Sequence, residues 1–404
     1  MTRKTLLTLA CGAALAGALG AETLAVRAQT IWTAAGPRLD DGVVLVRDGK
    51  IERVGPAAEV AIPAGATVIE GEVVTPGLVD AHTVVGLSGI LNIDHDQDQL
   101  DTTAPIQPEL RALDAYNPRE RLVEWLRELG VTTIHTGHGP GALAAGQTMV
   151  AKTVGETVEQ AVLRPEAMVA MTLGPEVGDN FESPGTRAKG VAMLRADLVK
   201  AQEYAKKRTT EDAEKRPARD LKLETLARVL AGELPALVTA HSAVDIVTAL
   251  RLAREFGFPL VLDGASEAYL VLDEIRGTGV PVILHPTMAR LSGETRSASL
   301  ETAAKLADAR IPFAIQSGYE PYVPKTRVVL FEAAVAAANG LGFERALAAV
   351  TIDAARLLGV ADRVGSLEPG KDADLVVYDG DPFEYTTHVC KVIVDGRLVS
   401  EECR

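Results

Sequence analysis

The middle of the chain alternates short apolar runs with longer stretches in which apolar residues recur every three or four positions. The short runs predict buried parallel strands, and the longer stretches predict amphipathic helices that cover them. The predicted strands are Leu78–His82, Val131–His135, Thr148–Lys152, Met168–Thr172, Ala236–Ala240, Pro259–Leu262, Val280–Leu284 and Pro312–Ile315. Eight such units in residues 76–359 predict a (β/α)8 barrel of the TIM type.

The two ends of the chain have a different pattern, in which short strands are separated by Asp-Gly turns. Gly42–Arg47 precedes such a turn near the start, and Ala373–Tyr378 and Val389–Val394 precede such turns near the end. Short strands joined by these turns are typical of antiparallel sheets. We therefore expect residues 21–75 and 360–404 to build one small β-sandwich together.

Two predicted helices have clear starting signals. Asn117 is expected to cap a helix whose first residue is Pro118. Ser242 with Asp245 three residues later is a capping-box pattern for a second helix. The charged run Lys200–Lys222 is interpreted as a solvated helical insertion.

Composition narrows the functional classes. Apolar residues make up 47% of the chain and aromatic residues only 4%, so the core must consist mainly of aliphatic side chains. The net charge of −14 argues against a nucleic-acid surface, which needs a basic patch. The expected partner is a small molecule.

The N-terminus resembles a secretion signal. A basic start, Met1–Lys4, is followed by an apolar run from Leu6 to Leu19 and a small residue, Ala21, after the expected cleavage site. A membrane anchor is the alternative, but the run is shorter than the ~20 residues that span a bilayer. We predict that residues 1–20 are a signal peptide, that no membrane span remains after cleavage, and that the protein is secreted or periplasmic.

Cleavage would leave two cysteines, Cys390 and Cys403. An exported protein can keep a disulfide, so these two could pair near the C-terminus. Two unpaired thiols are the other interpretation, because the sequence does not give the distance between them.

Histidines follow several of the predicted strands. His82, His135, His241 and His285 all lie at or just after strand ends, and His138 follows in a glycine-rich loop. Active sites of such barrels lie where the strands end. Neutral imidazole nitrogens are good ligands for zinc and similar divalent metals. The sequence therefore predicts a site at this face of the barrel.

Three segments resemble a known family. The segment Thr75–His82 (TPGLVDAH) resembles the first-strand signature of the amidohydrolase superfamily. Gly42–Val54, and Thr351–Leu358 with Gly365–Tyr378, resemble the terminal segments of its imidazolonepropionase-like branch. The resemblance covers nearly all of residues 22–400. It implies a barrel with a metal-based site that hydrolyses C–N bonds, and it makes a homo-oligomer plausible.

The chain departs from the family pattern at most of the ligand positions. His82 and His241 match two ligands that the resemblance implies. At the other four implied positions the side chain cannot bind a metal; these are Val84, Ala170, Gly264 and Gly318. The binuclear mechanism of the family is therefore not expected here.

Two interpretations remain open. In the first, His82, His241, His285 and His135 form a mononuclear site, most simply for zinc. Asp80 or Asp263, or else Glu267, would be the base. His138 and Lys152 would contact the substrate. In the second interpretation, the chain is a pseudoenzyme that binds a ligand or assembles with a partner, without chemistry.

Overall fold

The protein is described by a computed structural model that covers residues 23–403 except residues 92, 289–290, 320–325 and 327. The predicted signal peptide, residues 1–20, lies outside the described residues. The strands are β1 Thr23–Ile31, β2 Leu39–Arg47, β3 Lys50–Pro56, β4 Thr67–Pro76, β5 Leu78–Thr83, β6 Val131–Thr136, β7 Gly146–Gln147, β8 Met149–Lys152, β9 Val162–Arg164, β10 Val169–Thr172, β11 Ala236–Ala240, β12 Leu260–Gly264, β13 Val282–Leu284, β14 Phe313–Ile315, β15 Leu375–Tyr378, β16 Val389–Val394 and β17 Arg397–Ser400.

The α-helices of the described residues lie mostly between these central strands. They are α1 Ala112–Ala115, α2 Arg121–Glu128, α3 Val158–Ala161, α4 Val177–Asn180, α5 Arg187–Arg208, α6 Leu221–Leu230, α7 Ala243–Phe256, α8 Leu272–Thr278, α9 Thr302–Asp308, α10 Val329–Ala336, α11 Phe343–Ala349 and α12 Ile352–Leu357. The mixed α/β class predicted from the sequence is confirmed.

The central strands form two sheets rather than one continuous closed ladder. One sheet has the order β14-β13-β12-β11-β10-β7, and the other has the order β5-β6-β8-β9. A bridge between Thr83 and Gly318 links them at one edge. At the other edge, β7 pairs with β10 while β8 pairs with β6. The segment 146–152 therefore contributes one strand to each sheet. All eight predicted strands are present, but this pairing does not confirm a closed barrel.

The strand β8 runs against the direction that the barrel prediction requires. It pairs antiparallel with β6, so that Thr136 lies opposite Met149 and Thr133 lies opposite Lys152. The last residue of β8 therefore lies near the amino end of β6. We call the carboxyl ends of β5, β6 and β10–β14 the mouth, and their amino ends the base.

The two ends of the chain pair into one sheet at the base. Its order is β17-β16-β15-β4-β1-β2-β3, with β15 antiparallel to β4. Alternating residues of β1 and β2 are buried on opposite faces of this sheet, because side chains alternate along a strand. This is a single seven-stranded sheet among the described residues, so the predicted sandwich is not confirmed. A disulfide joins Cys390 to Cys403 at its edge.

The inward residues of the central strands form an apolar layer. Leu237, Val261, Ile283 and Ala314 pack there with Val79 and with α12, which covers the base. Two residues further along each strand the inward side chains become polar. These residues are Thr239, Asp263, His285 and Gln316. The period of two therefore places a polar layer directly above the apolar one.

The two predicted helix starts have different outcomes. Ser242 caps α7 as expected, and its hydroxyl accepts a hydrogen bond from the backbone N–H of Asp245 at 3.2 Å. The prediction for Asn117 was wrong. Glu120 caps α2 instead, because its carboxylate accepts from the N–H of Leu122. Within the described residues, no helix combines the length and apolar composition needed to cross a bilayer.

Candidate functional site

The mouth contains a buried pair between His82 and Asp263. The two side chains are almost fully buried, and His82 Nδ1 lies 3.0 Å from Asp263 Oδ1. Asp263 also accepts hydrogen bonds from the Thr239 hydroxyl at 2.6 Å and from Gln316 Nε2 at 3.0 Å. The carboxylate therefore accepts from three donors on three elements, and these fix its orientation.

The electrostatics of this pair favour the ionised carboxylate. Burial alone would raise the pKa of Asp263, but the neighbouring His82 and the Thr239 hydroxyl outweigh it and hold the pKa at about 2. Burial alone would lower the pKa of His82, but the Asp263 carboxylate outweighs it and raises the pKa above the ordinary 6.5. An ionised Asp263 requires a proton on Nδ1 of His82. This leaves Nε2 as the nitrogen that can accept a proton in the neutral ring.

Several polar atoms of the mouth are buried without a hydrogen-bond partner in the described part of the chain. They are His82 Nε2, both ring nitrogens of His138, and Gln99 Oε1. Burial lowers the pKa of His138 to about 4, so its ring is neutral at pH 7. His138 follows β6 in the glycine-rich loop, and the N–H of Gly139 donates to the carbonyl of Gln99 at 2.8 Å. Unsatisfied buried groups are rare in folded proteins and are typical of places where a ligand or water binds.

His241 and His285 lie on the other side of the mouth. His241 Nδ1 is 2.8 Å from the Ser266 hydroxyl, and the His241 and His285 ring centroids are 5.1 Å apart. Burial lowers the pKa of His241, although the Asp263 carboxylate opposes this. His241 is therefore a neutral ring near neutral pH, held in place by its contact with Ser266.

The space at Gly264 is already filled by His241. Gly264 has φ +75°, and a Cβ atom placed on it would lie 2.6 Å from Cε1 of His241. At Gly318, with φ +73°, a Cβ atom would lie 2.6 Å from Cγ of Pro286. Both positions favour glycine through the left-handed backbone and through the lack of space. At these two positions, where the chain departs from the family pattern, the packing of the mouth leaves no room for a ligating side chain.

His135 does not act as the metal ligand that the sequence suggested. Its Nδ1 lies 2.6 Å from the Ala81 carbonyl, and its Nε2 lies 2.7 Å from the Thr148 hydroxyl. Burial lowers its pKa to about 3. Both ring nitrogens are already used, so His135 is a neutral hydrogen-bonding group that joins three strand segments.

Asp80 is held in the same way and does not face the open side of the mouth as a base. Its carboxylate accepts from the N–H of Ser317 at 2.9 Å, from the Ser317 hydroxyl, and from the N–H of His82 at 3.3 Å. Burial raises its pKa to about 7. The Asp80 side chain therefore ties β5 to the segment that follows β14.

The prediction that Lys152 contacts the substrate was wrong. Because β8 is antiparallel to β6, Lys152 lies at the base, where its ammonium group is 2.8 Å from Asp372 and 3.0 Å from Asp374. It also pairs with Asp395. Burial would lower the pKa of Lys152, but these carboxylates raise it. Its charge stabilises the contact between the central strands and the terminal sheet.

The described residues do not fit a metal centre of the family type. They contain no group of three or more His, Cys, Asp or Glu side chains that could hold a metal ion. His135, one of the four predicted ligands, uses both ring nitrogens in hydrogen bonds to Ala81 and Thr148. The four apolar positions supply nothing in their place.

Three residues of the site were not identified from the sequence. Thr239 and Gln316 orient Asp263, and Ser266 orients His241. Thr239 and Gln316 follow the inward residues Leu237 and Ala314 by two positions, so the strand alternation could have revealed them. Ser266 lies beyond the end of β12, where the alternation no longer applies.

A glutamate after β10 was also missed. Glu176 follows β10 by a few residues, and no strand or helix period marks it. Burial, and then the carboxylate of Glu294, raise its pKa to about 7. Asp263 lies close enough to add to this effect.

Comparison with known proteins gives consistent results. The model of the amidohydrolase family matches residues 209–399. The structure is similar to that of an amidohydrolase from Thermotoga maritima MSB8, with 32% identity and a TM-score of 0.86, over 94% of this chain and all of that one.

Two curated relatives extend the comparison. The chain is 26% identical to an imidazolonepropionase of Rhizorhabdus wittichii, over 84% of this chain and 88% of that protein. It is 27% identical to the amidohydrolase tasK of Hapsidospora irregularis, over 88% of this chain but only 39% of that longer protein. The expectation drawn from residues 75–82 is confirmed, and the chain belongs to the amidohydrolase superfamily, on its imidazolonepropionase-like branch.

Proposed function

We propose that the protein hydrolyses a C–N bond of a small polar molecule at the mouth, with His82 as the base and Asp263 as its positioning group. The observation that carries the proposal is the buried contact of 3.0 Å between His82 Nδ1 and Asp263, which leaves His82 Nε2 without a partner in the described chain. Many hydrolases use a histidine as general base, in which one ring nitrogen takes the proton and a carboxylate orients the other. Membership of a family of C–N hydrolases supports the same conclusion.

The chemistry follows from the tautomer. Nε2 of neutral His82 accepts a proton from water while the water oxygen attacks the carbonyl carbon of the substrate. The same proton then passes to the leaving nitrogen as the C–N bond breaks. Asp263 stays ionised and stabilises the charged imidazolium between these two steps. Because the pKa of His82 is raised, we expect activity to increase with pH above 6.5.

Metal chemistry is not part of this mechanism. Members of the family are typically dependent on a divalent metal, but the residues present do not form a ligand set. Zinc held by His82, His241, His285 and His135, as the sequence suggested, would have to use His82 Nε2, the nitrogen that accepts the proton of water in the proposed mechanism. Metal content therefore distinguishes the two site chemistries.

A second candidate function is ligand binding without catalysis. It is supported by the loss of four implied ligands, at Val84, Ala170, Gly264 and Gly318, and by the packing that fills the space at Gly264. The unpartnered nitrogens of His138 would then contact the ligand. This alternative predicts binding of the same polar molecules with no turnover.

The test is a screen of cyclic amides, N-acyl amino acids and dipeptides, with detection of the released amine. Any activity found should fall by about 10²–10⁴ in His82→Gln and Asp263→Asn. The matched control is His388→Gln, because His388 forms a similar contact with Asp379 at 2.8 Å but is exposed at the terminal sheet. Activity should persist after chelation, and mass spectrometry should find less than one metal ion per chain.

The possible results are distinct. Activity that is lost on chelation and restored by zinc would contradict the assignment of His82 as the general base and would support a metal site. Activity unchanged in both mouth variants would place the reaction elsewhere. Ligand binding without turnover over the whole panel would support the second candidate.

We also propose export, on the basis of the residue pattern of Met1–Leu19 and the disulfide Cys390–Cys403 at the edge of the terminal sheet. Disulfides are characteristic of oxidising compartments. Fractionation of cells and N-terminal sequencing of the mature chain test this. A chain in the cytosolic fraction that keeps Met1 would contradict the proposal.

A further inference from the structure

A second cleft lies on the side of the central fold, between α5 and α7. Its volume is about 350 Å³, which is in the range of small-molecule sites. It is lined by one face of each helix, since Arg187, Val191 and Arg195 recur every four residues on α5. None of the residues used by the His82–Asp263 pair lines it, so the cleft is distinct from the mouth.

The apolar part of the cleft is continuous with the core. Leu143 and Leu173 are buried and form part of its lining. Val244 of α7 is 66% exposed and also lines it, although valine on a helix surface is more often covered. The cleft therefore offers apolar surface to a ligand side group.

The charged groups of the cleft are distributed unevenly. At the end nearer the mouth, Arg187 is paired with buried Asp245 at 3.0 Å and with Glu294 at 2.6 Å. Further along the helices, Arg195 is paired with Glu255 at 2.7 Å. Arg251 lines the cleft with them, and its side chain has no ion pair or hydrogen bond within the described residues.

One positive charge is therefore left unmatched at the Arg195–Arg251 end. Counting only that end, two guanidinium groups face one carboxylate. Guanidinium groups bind carboxylates through paired N–H donors, as Arg195 already does with Glu255 through Nε and a terminal nitrogen. The hydroxyl of Thr248 also lines the cleft and can add a polar contact.

We propose that this cleft binds a small monocarboxylate whose apolar side group lies against Leu143, Leu173 and Val244, and whose carboxylate is bound by Arg251 and Arg195. The proposal is independent of the proposed hydrolysis, because it uses no residue of the catalytic pair. The cleft nevertheless shares Asp245 with the structure around the mouth. The Ser242 hydroxyl, next to His241, donates to Asp245 at 2.7 Å.

Isothermal titration of the mature His82→Gln variant, in which the proposed hydrolysis is lost, tests the proposal with 4-methylpentanoate, an acid without a C–N bond, as probe and 4-methylpentanamide as its uncharged counterpart. We expect saturable binding of the acid and binding of the amide that is weaker by about tenfold or more. Arg251→Gln should weaken binding of the acid by a similar factor. Because Arg251 makes no ion pair or hydrogen bond within the described residues, its removal should leave the thermal midpoint unchanged.

The matched control is Arg254→Gln. Arg254 is exposed on the same helix, lies outside the cleft, and also has no side-chain partner among the described residues. Its substitution should leave binding unchanged. Val244→Glu, which adds a negative charge at an exposed position of the cleft, should weaken the acid more than the amide.

Three results would overturn the proposal. One is absence of saturable binding of the acid. Another is equal binding of acid and amide, which would indicate an apolar cleft without carboxylate recognition. The third is equal weakening by Arg251→Gln and Arg254→Gln, which would indicate a general effect of surface charge. None of them bears on the activity of the mouth.

Discussion

At the mouth, the buried carboxylate of Asp263 orients one nitrogen of His82 and leaves the other without a partner. At the base, the buried ammonium group of Lys152 is surrounded by Asp372, Asp374 and Asp395. Both regions bury charge within the same set of strands. At the base, the ammonium group of Lys152 is paired with all three carboxylates, which stabilises the contact with the terminal sheet, although Asp374 Oδ2 has no partner among the described residues. At the mouth, buried hydrogen-bonding atoms have no partner in the described chain, which costs stability and leaves these atoms for a ligand or for the proposed proton transfer.

The largest effect on stability is expected from removing the positive charge of Lys152 at the amino ends of the central strands. Lys152→Met should lower the free energy of unfolding by about 3–5 kcal/mol, because buried Asp374 loses the charge that neutralises it and Asp372 loses one of its cationic partners. Denaturant titration measures this. The control Lys50→Met removes a half-exposed partner of Asp372 and should cost about 0–1 kcal/mol. Equal losses of unfolding free energy in the two variants would contradict the expectation that a buried cation contributes more to stability than a half-exposed one.

A change of opposite sign is expected at the mouth. His138→Phe replaces a buried ring whose two nitrogens have no partner in the described chain by a somewhat larger apolar ring. We expect the free energy of unfolding to rise by about 1–2 kcal/mol, while binding of polar ligands is lost. His135→Phe is the control, because it removes two hydrogen bonds and should destabilise the fold. A destabilised His138→Phe variant would contradict the contrast between mouth and base.

The contribution of His135 to stability is expected to depend on pH. The pKa of His135 is about 3 in the folded chain against an ordinary 6.5, so the unfolded chain binds a proton that the folded chain excludes. The stability due to His135 is therefore present above pH 6.5 and is lost as the pH falls toward 3. The difference in unfolding free energy between wild type and His135→Gln should shrink by up to about 1.4 kcal/mol per pH unit in that window. A difference independent of pH would show that the ring titrates normally.

The sequence predicted the strands better than their arrangement. All eight apolar runs are strands, because burial on both faces leaves a clear signal in composition. The direction of β8 leaves no such signal, since a buried run of four residues, Met149–Lys152, has the same pattern in both directions. This one reversal moved Lys152 from the mouth to the base. The pairing of β4 with β15 was foreseen only in outline, from the similar patterns of the two ends.

The site was predicted in part for a similar reason. The family resemblance identified His82 and His241, and both lie in the mouth. It did not show which nitrogen of each ring is free, because Thr239, Gln316 and Ser266 decide that through contacts between distant segments. His135 illustrates the same limit. A histidine that ends a strand has the same sequence signal whether its nitrogens face a ligand or bond to Ala81 and Thr148.

The pairing of β15 with β4 has a consequence for synthesis of the chain. Pro76 lies opposite Leu375, so the edge of β4 stays unpaired until about 300 more residues have been synthesised. At ordinary rates of translation this takes roughly 15–60 s. During that time β1–β4 can form a sheet in which the edge of β4 is still unpaired, and unpaired edges recruit other strands. A nascent chain therefore needs protection at Val73–Pro76 until β15, Leu375–Tyr378, has emerged, and truncation before residue 375 should turn this edge into an aggregation site.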